Sequence, residues 1–210
     1  LPGAGQTSVA VAAPFVAQGA ADRRIGQVAS AVLGGGYSAR LNQEVRIKRG
    51  LSYGAFSEAE SQPSGGMFSA RTQTHHPTAA QVLQLMRDEL RRLGDTPPAT
   101  DELAARQATL VGSFARRLDT TLGLAMLVLG QKAQGRPLAD LNRHVSDILA
   151  VTPEQVRDFA RKHWQGDQLR AVIAGDISAA GDSLKALDPS AQRVALTDLD
   201  LERLGQRGVR

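Results

Sequence analysis

Cysteine is absent from the 210 residues, which removes disulfides, thiolate nucleophiles and cysteine-rich zinc sites together. An oxidising compartment is thereby neither required nor excluded. Aromatic residues make up only 4% of the chain, and no basic stripe is interleaved with them, so the stacking platforms that bind single-stranded nucleic acid are missing. The net charge of +4 and the pI near 9.9 come from Lys and Arg scattered along the chain and mixed with Asp and Glu. An anion or nucleic-acid binder therefore rests on pI alone, and no nucleic-acid partner is expected. No apolar run approaches the roughly 20 residues of a membrane span. The nearest, "LGLAMLVL" at 122–129, reads as a buried helix segment. The four histidines are scarce and badly spaced for a metal. His75 and His76 run into Pro77 and Thr78, while His144 and His163 stand alone on separate helices, so no metal or cofactor is expected in this chain.

The remaining composition, 42% hydrophobic and 22% charged, is that of an ordinary globular protein of a length that fits one domain with a large core. "TSVAVAAP" at 7–14 reads as a strand. Behind it Ile25, Val28, Ala29, Val32 and Leu33 share one helical face. Gly34 is expected to stop that helix in a left-handed conformation. Glycines 34–36 follow a helix and lack a Gly-Lys-Ser/Thr ending, so they read as cap and turn and not as a phosphate loop. Ser38 is placed to cap a short helix on which Leu41 and Val45 point the same way. Arg46, Lys48 and Arg49 lie near its negative end, and Gly50 closes it. Residues 51–61 and 66–74 read as a hairpin turned at "QPSGG", with Phe68, Ala70, Thr72 and Thr74 on one face.

From Pro77 the period is helical for about ninety residues. Val82, Met86, Leu90 and Leu93 form one stripe, ended by Gly94. Leu103, Leu110, Val111, Phe114 and Leu118 form a second that polar Gln107 interrupts. Leu122–Leu129 make a third, and Leu138, Leu141, Val145, Ile148 and Leu149 a fourth. Thr152 caps the fifth, with Pro153 in its first turn and Gln155 reaching back, and "LRAVIAG" at 169–175 returns as a strand. The fold class that follows is α+β, a two-layer sandwich of one largely antiparallel sheet covered by helices. One domain is expected over 1–210, with its core in about 5–178 and a polar, Arg-rich segment over 179–210.

Four short stretches carry a resemblance to a known family. They are Leu-Gly-Gly-Gly at 33–36, Ser-x-Arg-Leu at 38–41, Glu-x-Arg at 44–46 and Arg-Gly-Leu-x-Tyr at 49–53. With the later "TTLGLAMLVLGQKAQGRPL" and "VTPEQVRDFARKHW", they make the chain resemble the C-terminal, non-zinc half-domain of the insulinase, pitrilysin and mitochondrial processing peptidase superfamily. The resemblance implies a metallopeptidase half-domain that closes like a clamshell over a homologous half, which holds zinc on an inverted His-x-x-Glu-His helix. It also implies that the non-zinc half supplies an Arg and a Tyr with six residues between them. Arg46 and Tyr53 have that spacing.

The implied chemistry suits the pair. Attack on a peptide carbonyl builds negative charge on its oxygen, and a guanidinium with a phenolic O–H stabilises that oxyanion. By the bland reading, Tyr53 is a packing residue and the cations complement the helix dipole; Arg49, which fits the helix cap, is the weaker partner for Tyr53. The implied partners are a zinc-bearing domain or subunit and an extended peptide, with Zn in the partner half and no peptidase activity from this chain alone. A catalytically inert scaffold or assembly domain of the same superfamily is the alternative. The excess of Arg over Lys, with abundant Ala and Gly, suggests a GC-rich bacterial genome, and the resemblance then implies the periplasm, with the cytoplasm as the alternative. Leu1 in place of Met points to a processed or excised part of something longer.

Overall fold

The computed structural model describes residues 1, 3–180 and 182–198; the end of the polar C-terminal segment, 199–210, and residue 181 within it lie outside the described residues. Strand β1 (Thr7–Phe15) is followed by α1 (Arg23–Gly34), a short helix α2 (Arg40–Asn42) that continues as a wider turn over Gln43–Ile47, and the hairpin β2 (Ala55–Gln62) and β3 (Gly65–Thr74). Helices α3 (Ala79–Asp95), α4 (Thr100–Leu118), α5 (Thr121–Ala133), α6 (His144–Leu149) and α7 (Pro153–His163) precede β4 (Arg170–Ala174) and α8 (Ser183–Leu187). The four strands form one antiparallel sheet in the order β2-β3-β1-β4. The α+β sandwich expected from the pattern is therefore the architecture found.

Strand alternation decides which face of the sheet is covered. Thr7, Val9, Val11, Ala13 and Phe15 of β1, with Phe68, Ala70, Thr72 and Thr74 of β3, point into the core, while the alternate residues face outward. Against that face pack Val28, Val32 and Leu33 of α1, Val82, Met86, Leu90 and Leu93 of α3, and Val156 and Phe159 of α7. Each such side chain contributes about 1.5–3 kcal/mol by leaving water. Trp164, just past α7, is fully buried with its ring stacked 4.1 Å from Phe68 and edge-on to Phe159 at 5.3 Å.

Several expectations change on contact with the structure. Gly34 does not adopt the left-handed conformation and does not stop α1 by that route. A Cβ there would lie 2.2 Å from the backbone nitrogen of Ser57, so glycine lets the end of α1 approach strand β2. Gly94 likewise lies inside α3, where a Cβ would meet the Gln165 side chain and, at 3.2 Å, the α7 backbone at Arg161. Ser38 caps nothing: the α2 cap is Ala39, and the Ser38 hydroxyl accepts a 2.6 Å hydrogen bond from Arg106 of α4. Gln107 does not weaken its stripe, because its amide donates to the carbonyls of Ile148 (2.9 Å) and Val151 (3.0 Å) and so closes the end of α6. The Thr152–Gln155 capping box forms as its sequence requires.

The largest departure is α5. Leu122 is 74% exposed, and Leu124, Met126 and Leu129 are also exposed, while Leu127 alone among its large apolar residues is buried. The segment expected to be buried thus turns most of its apolar surface outward.

Candidate functional site

The chain between α1 and β2 is held by polar ties to rigid elements. Asn42 is fully buried; its Nδ2 donates to the Tyr37 carbonyl (2.6 Å), and its Oδ1 accepts from the Ala55 N–H (3.2 Å). One side chain therefore fixes the loop before α2 to the first residue of β2. Arg40 clamps Glu102 of α4 through two parallel bonds of 2.7 and 2.8 Å, a geometry that specifies orientation as well as distance. Leu41 and Val45 are fully buried, which anchors the inner face of the helix and leaves the Arg46 side on its outer face half-buried.

Over Gln43–Ile47 the helix opens to i→i+5 hydrogen bonding, with the Lys48 N–H on the Gln43 carbonyl (2.9 Å). Such widened turns recur at functional sites, where they re-aim a side chain. Gly50 then takes φ +62°, where a Cβ would be strained. Its N–H bonds the Arg46 carbonyl (2.8 Å), and the Leu51 N–H bonds that of Val45 (2.9 Å), which ends the helix. The lead-in to β2 is stitched onto β3, as the Thr74 hydroxyl donates to the Leu51 carbonyl (2.6 Å) and that of Thr72 to the Gly54 carbonyl (2.8 Å).

This frame brings Arg46 and Tyr53 together, the guanidinium carbon lying 4.8 Å from the centre of the Tyr53 ring. It also brings in a residue that sequence spacing did not single out. Tyr37 lies 4.7 Å from the same carbon, so Arg46 is flanked by two aromatic rings. Its only sequence signal is the placement of one of two tyrosines directly after Gly34–Gly36 and nine positions before Arg46. Tyr53 is 89% exposed, so its phenol is open to a ligand and its ring is not a core element.

The three neighbouring cations divide sharply. Glu44 receives both Lys48 and Arg49, the latter at 2.6 Å, and Arg49 also donates to the Glu44 carbonyl (2.9 Å). Burial alone would raise the Glu44 carboxyl, but hydrogen bonds from Lys48 and then Arg49 outweigh it and hold the acid below its ordinary range. The Arg46 guanidinium has no ion pair or hydrogen bond among the described residues. Of the three, it alone has no donor engaged by another side chain or carbonyl.

Among the described residues no group of three or more His, Asp or Glu side chains is placed to hold a metal ion. His76 is occupied: its Nε2 donates to the Ala4 carbonyl and its Nδ1 accepts from the Thr7 hydroxyl, both at 2.7 Å. That role fits the strand end and helix entrance read from its sequence. The donor set does not fit zinc. No helix among the described residues is long and apolar enough to cross a membrane.

The site is thus an arginine flanked by two tyrosines beside an antiparallel sheet that helices cover on one face. Comparison with known proteins gives the class to which this arrangement belongs. The family model described as the peptidase M16 inactive domain matches residues 1–110, and the chain belongs to that family. It is 33% identical over 136 residues to an uncharacterized zinc protease of Streptomyces coelicolor, covering 64% of this chain and 29% of the relative. It is 23% identical to a Helicobacter pylori protein named as a non-peptidase homolog, covering 69% and 34%. The crystal structure of a peptidase M16 inactive domain from Pseudomonas fluorescens superposes with a TM-score of 0.75 at 28% identity, over 83% of this chain and 42% of that one. The chain thus spans about a third of the length of these curated relatives.

Proposed function

We propose that the chain is the complementing, non-zinc half of a zinc metallopeptidase, closing over an extended peptide and stabilising the carbonyl oxyanion through Arg46 and Tyr53. The observation that carries this reading is the division of the cations: Glu44 engages Lys48 and Arg49, while Arg46 stays unpaired beside an exposed tyrosine. A guanidinium already placed between rings costs little reorganisation when negative charge develops, which is the condition for electrostatic stabilisation of a transition state. Activation of the attacking water belongs, in this reading, to the zinc-bearing half, since among the described residues no group of donors fits a metal.

The exposed apolar side of α5 supports the same reading. Patches of this kind mark surfaces that a partner covers, and the partner of this proposal is the zinc-bearing half, in the same parent chain or as a separate subunit. The test is reconstitution with that half. Arg46→Ala and Tyr53→Phe should each lower turnover by on the order of 10²–10³ with assembly unchanged; full turnover in either variant would sink the assignment.

A second reading, an inert scaffold or assembly domain, is favoured by the relative named as a non-peptidase homolog. It predicts a complex that assembles with the zinc-bearing half and cleaves no peptide at any zinc concentration.

A further inference from the structure

A second cationic feature lies elsewhere and shares no residue with Tyr37, Arg46 or Tyr53. Between α1, the edge strand β2 and the helices α4 to α6 is a cavity of about 600 Å³, within the range of small-molecule sites. Arg23 lines it. Only 8% of this residue is exposed, and its guanidinium has neither an ion pair nor a hydrogen bond among the described residues. Arg24 beside it donates to Gln27 Oε1 alone (2.9 Å). Arg136, also on the wall, holds Asp140 at 3.0 Å, but Asp140 is shared with Arg143 at 2.7 Å.

We infer that this cavity binds a small organic oxyanion, a carboxylate or a phosphate, whose charge is met by Arg23 and Arg24. A cation withdrawn from water without a counter-charge is unfavourable, and it is stabilised when a ligand supplies the missing charge. Burial first, then the charges of Arg24 and Arg136, push the Arg23 guanidinium down to about 10, with Asp140 and Asp147 opposing. Among the described residues no acid lies within ion-pair distance of Arg23 or Arg24. Asp140 is divided between two arginines, and Glu58 of β2 pairs with Arg71 at 3.3 Å; Glu60 lines the cavity, and Asp147 favours the charge of both arginines from a distance without pairing with either. Guanidinium groups suit carboxylate and phosphate alike through paired N–H donors.

The rest of the lining gives the ligand a body as well as a charge. Phe114, with His144 stacked on its ring at 4.0 Å, faces the cavity together with Met126 and Leu127. Gln27, Gln131 and Ser57 supply neutral hydrogen-bonding groups. The lining therefore fits an anion carried on an apolar frame better than a bare ion.

The experiment is thermal denaturation and calorimetric titration of the purified protein with inorganic phosphate and, separately, hexanoate, against chloride at matched ionic strength. A saturable rise in melting temperature with either probe below about 10 mM is expected, since a ligand that binds only the folded state stabilises it. Hexanoate binding alone would assign the site to carboxylates, and phosphate binding alone to phosphate esters. Arg23→Gln with Arg24→Gln should weaken the response at least about tenfold while melting no lower than wild type in chloride. The single change Arg24→Gln, at a half-buried position, reads the same loss if the pair of changes fails to fold. No saturable response to either probe, or an undiminished one in Arg24→Gln, would overturn the inference.

Discussion

Arg46 and Arg23 are both arginines without a salt bridge among the described residues, and they are kept that way by opposite means. Arg46 stands at the surface between Tyr37 and Tyr53, where water and two aromatic faces keep its charge inexpensive. Arg23 is enclosed beside Arg24 and Arg136, where burial opposes its charge. The difference teaches that an unpaired cation has two uses. One is held ready at low cost for charge that appears during a reaction; the other is stabilised by whatever anion arrives.

The strongest way to break the comparison is to remove the frame of the first site while sparing its cation. Asn42→Ala deletes two hydrogen bonds and leaves the buried Ala55 N–H without an acceptor. A loss of about 2–4 kcal/mol in urea unfolding is expected. An unchanged midpoint would mean that the Tyr37 loop is positioned by packing alone.

The second site is examined through His144, whose pKa is lowered from 6.5 to about 4 by burial and then by Arg24, Arg23 and Arg117, with Asp147 opposing. The folded protein holds its proton less tightly than the unfolded chain does. His144 therefore supports stability fully above about pH 6.5, and that support is lost as pH falls toward 4. About 2–3 kcal/mol should disappear across this window, and His144→Phe, which keeps a ring on Phe114, should flatten the profile there. A wild-type profile no steeper than that of the variant would show that the cavity is neither desolvated nor cationic.

A smaller effect of reversed sign is expected at Arg23. Arg23→Met should raise stability by about 1–2 kcal/mol in anion-free buffer, because it removes an enclosed charge and keeps the apolar stem. A destabilised variant would mean that Arg23 already has an internal partner in solution.

How much of this was legible depended on whether neighbours in space were also neighbours in sequence. The alternation of Phe68, Ala70, Thr72 and Thr74 gave the hairpin face, and Thr152 with Gln155 gave a helix start, because both signals lie within a few residues. The pairing of Arg46 with Tyr53 was readable for the same reason, through a fixed separation and a resemblance. Helix α5 was misread because apolar character says that a face needs cover, not that this chain supplies it. Tyr37 carried no periodic signal. Arg23 and Arg24 did carry one that passed unused: two cations in the first turn of α1 oppose its dipole, an arrangement that asks for an anion.

The finest test concerns Tyr37, whose ring lies against the Arg46 guanidinium and which acts, in the proposed function, as a positioning residue. Tyr37→Ala removes one of two cation–π contacts, each about 0.5–1 kcal/mol at an exposed site, so turnover of the reconstituted pair should fall only about two- to fivefold. Because the ring orders Arg46 for charge that exists only in the transition state, the loss should fall on kcat with KM unchanged. Tyr37→Phe, which keeps the ring and lacks the hydroxyl, should restore it. If Tyr37→Phe is as impaired as Tyr37→Ala, the hydroxyl matters and Tyr37 itself meets the substrate. If neither change alters kcat, Tyr53 alone suffices to hold Arg46, and the second ring is incidental to the chemistry.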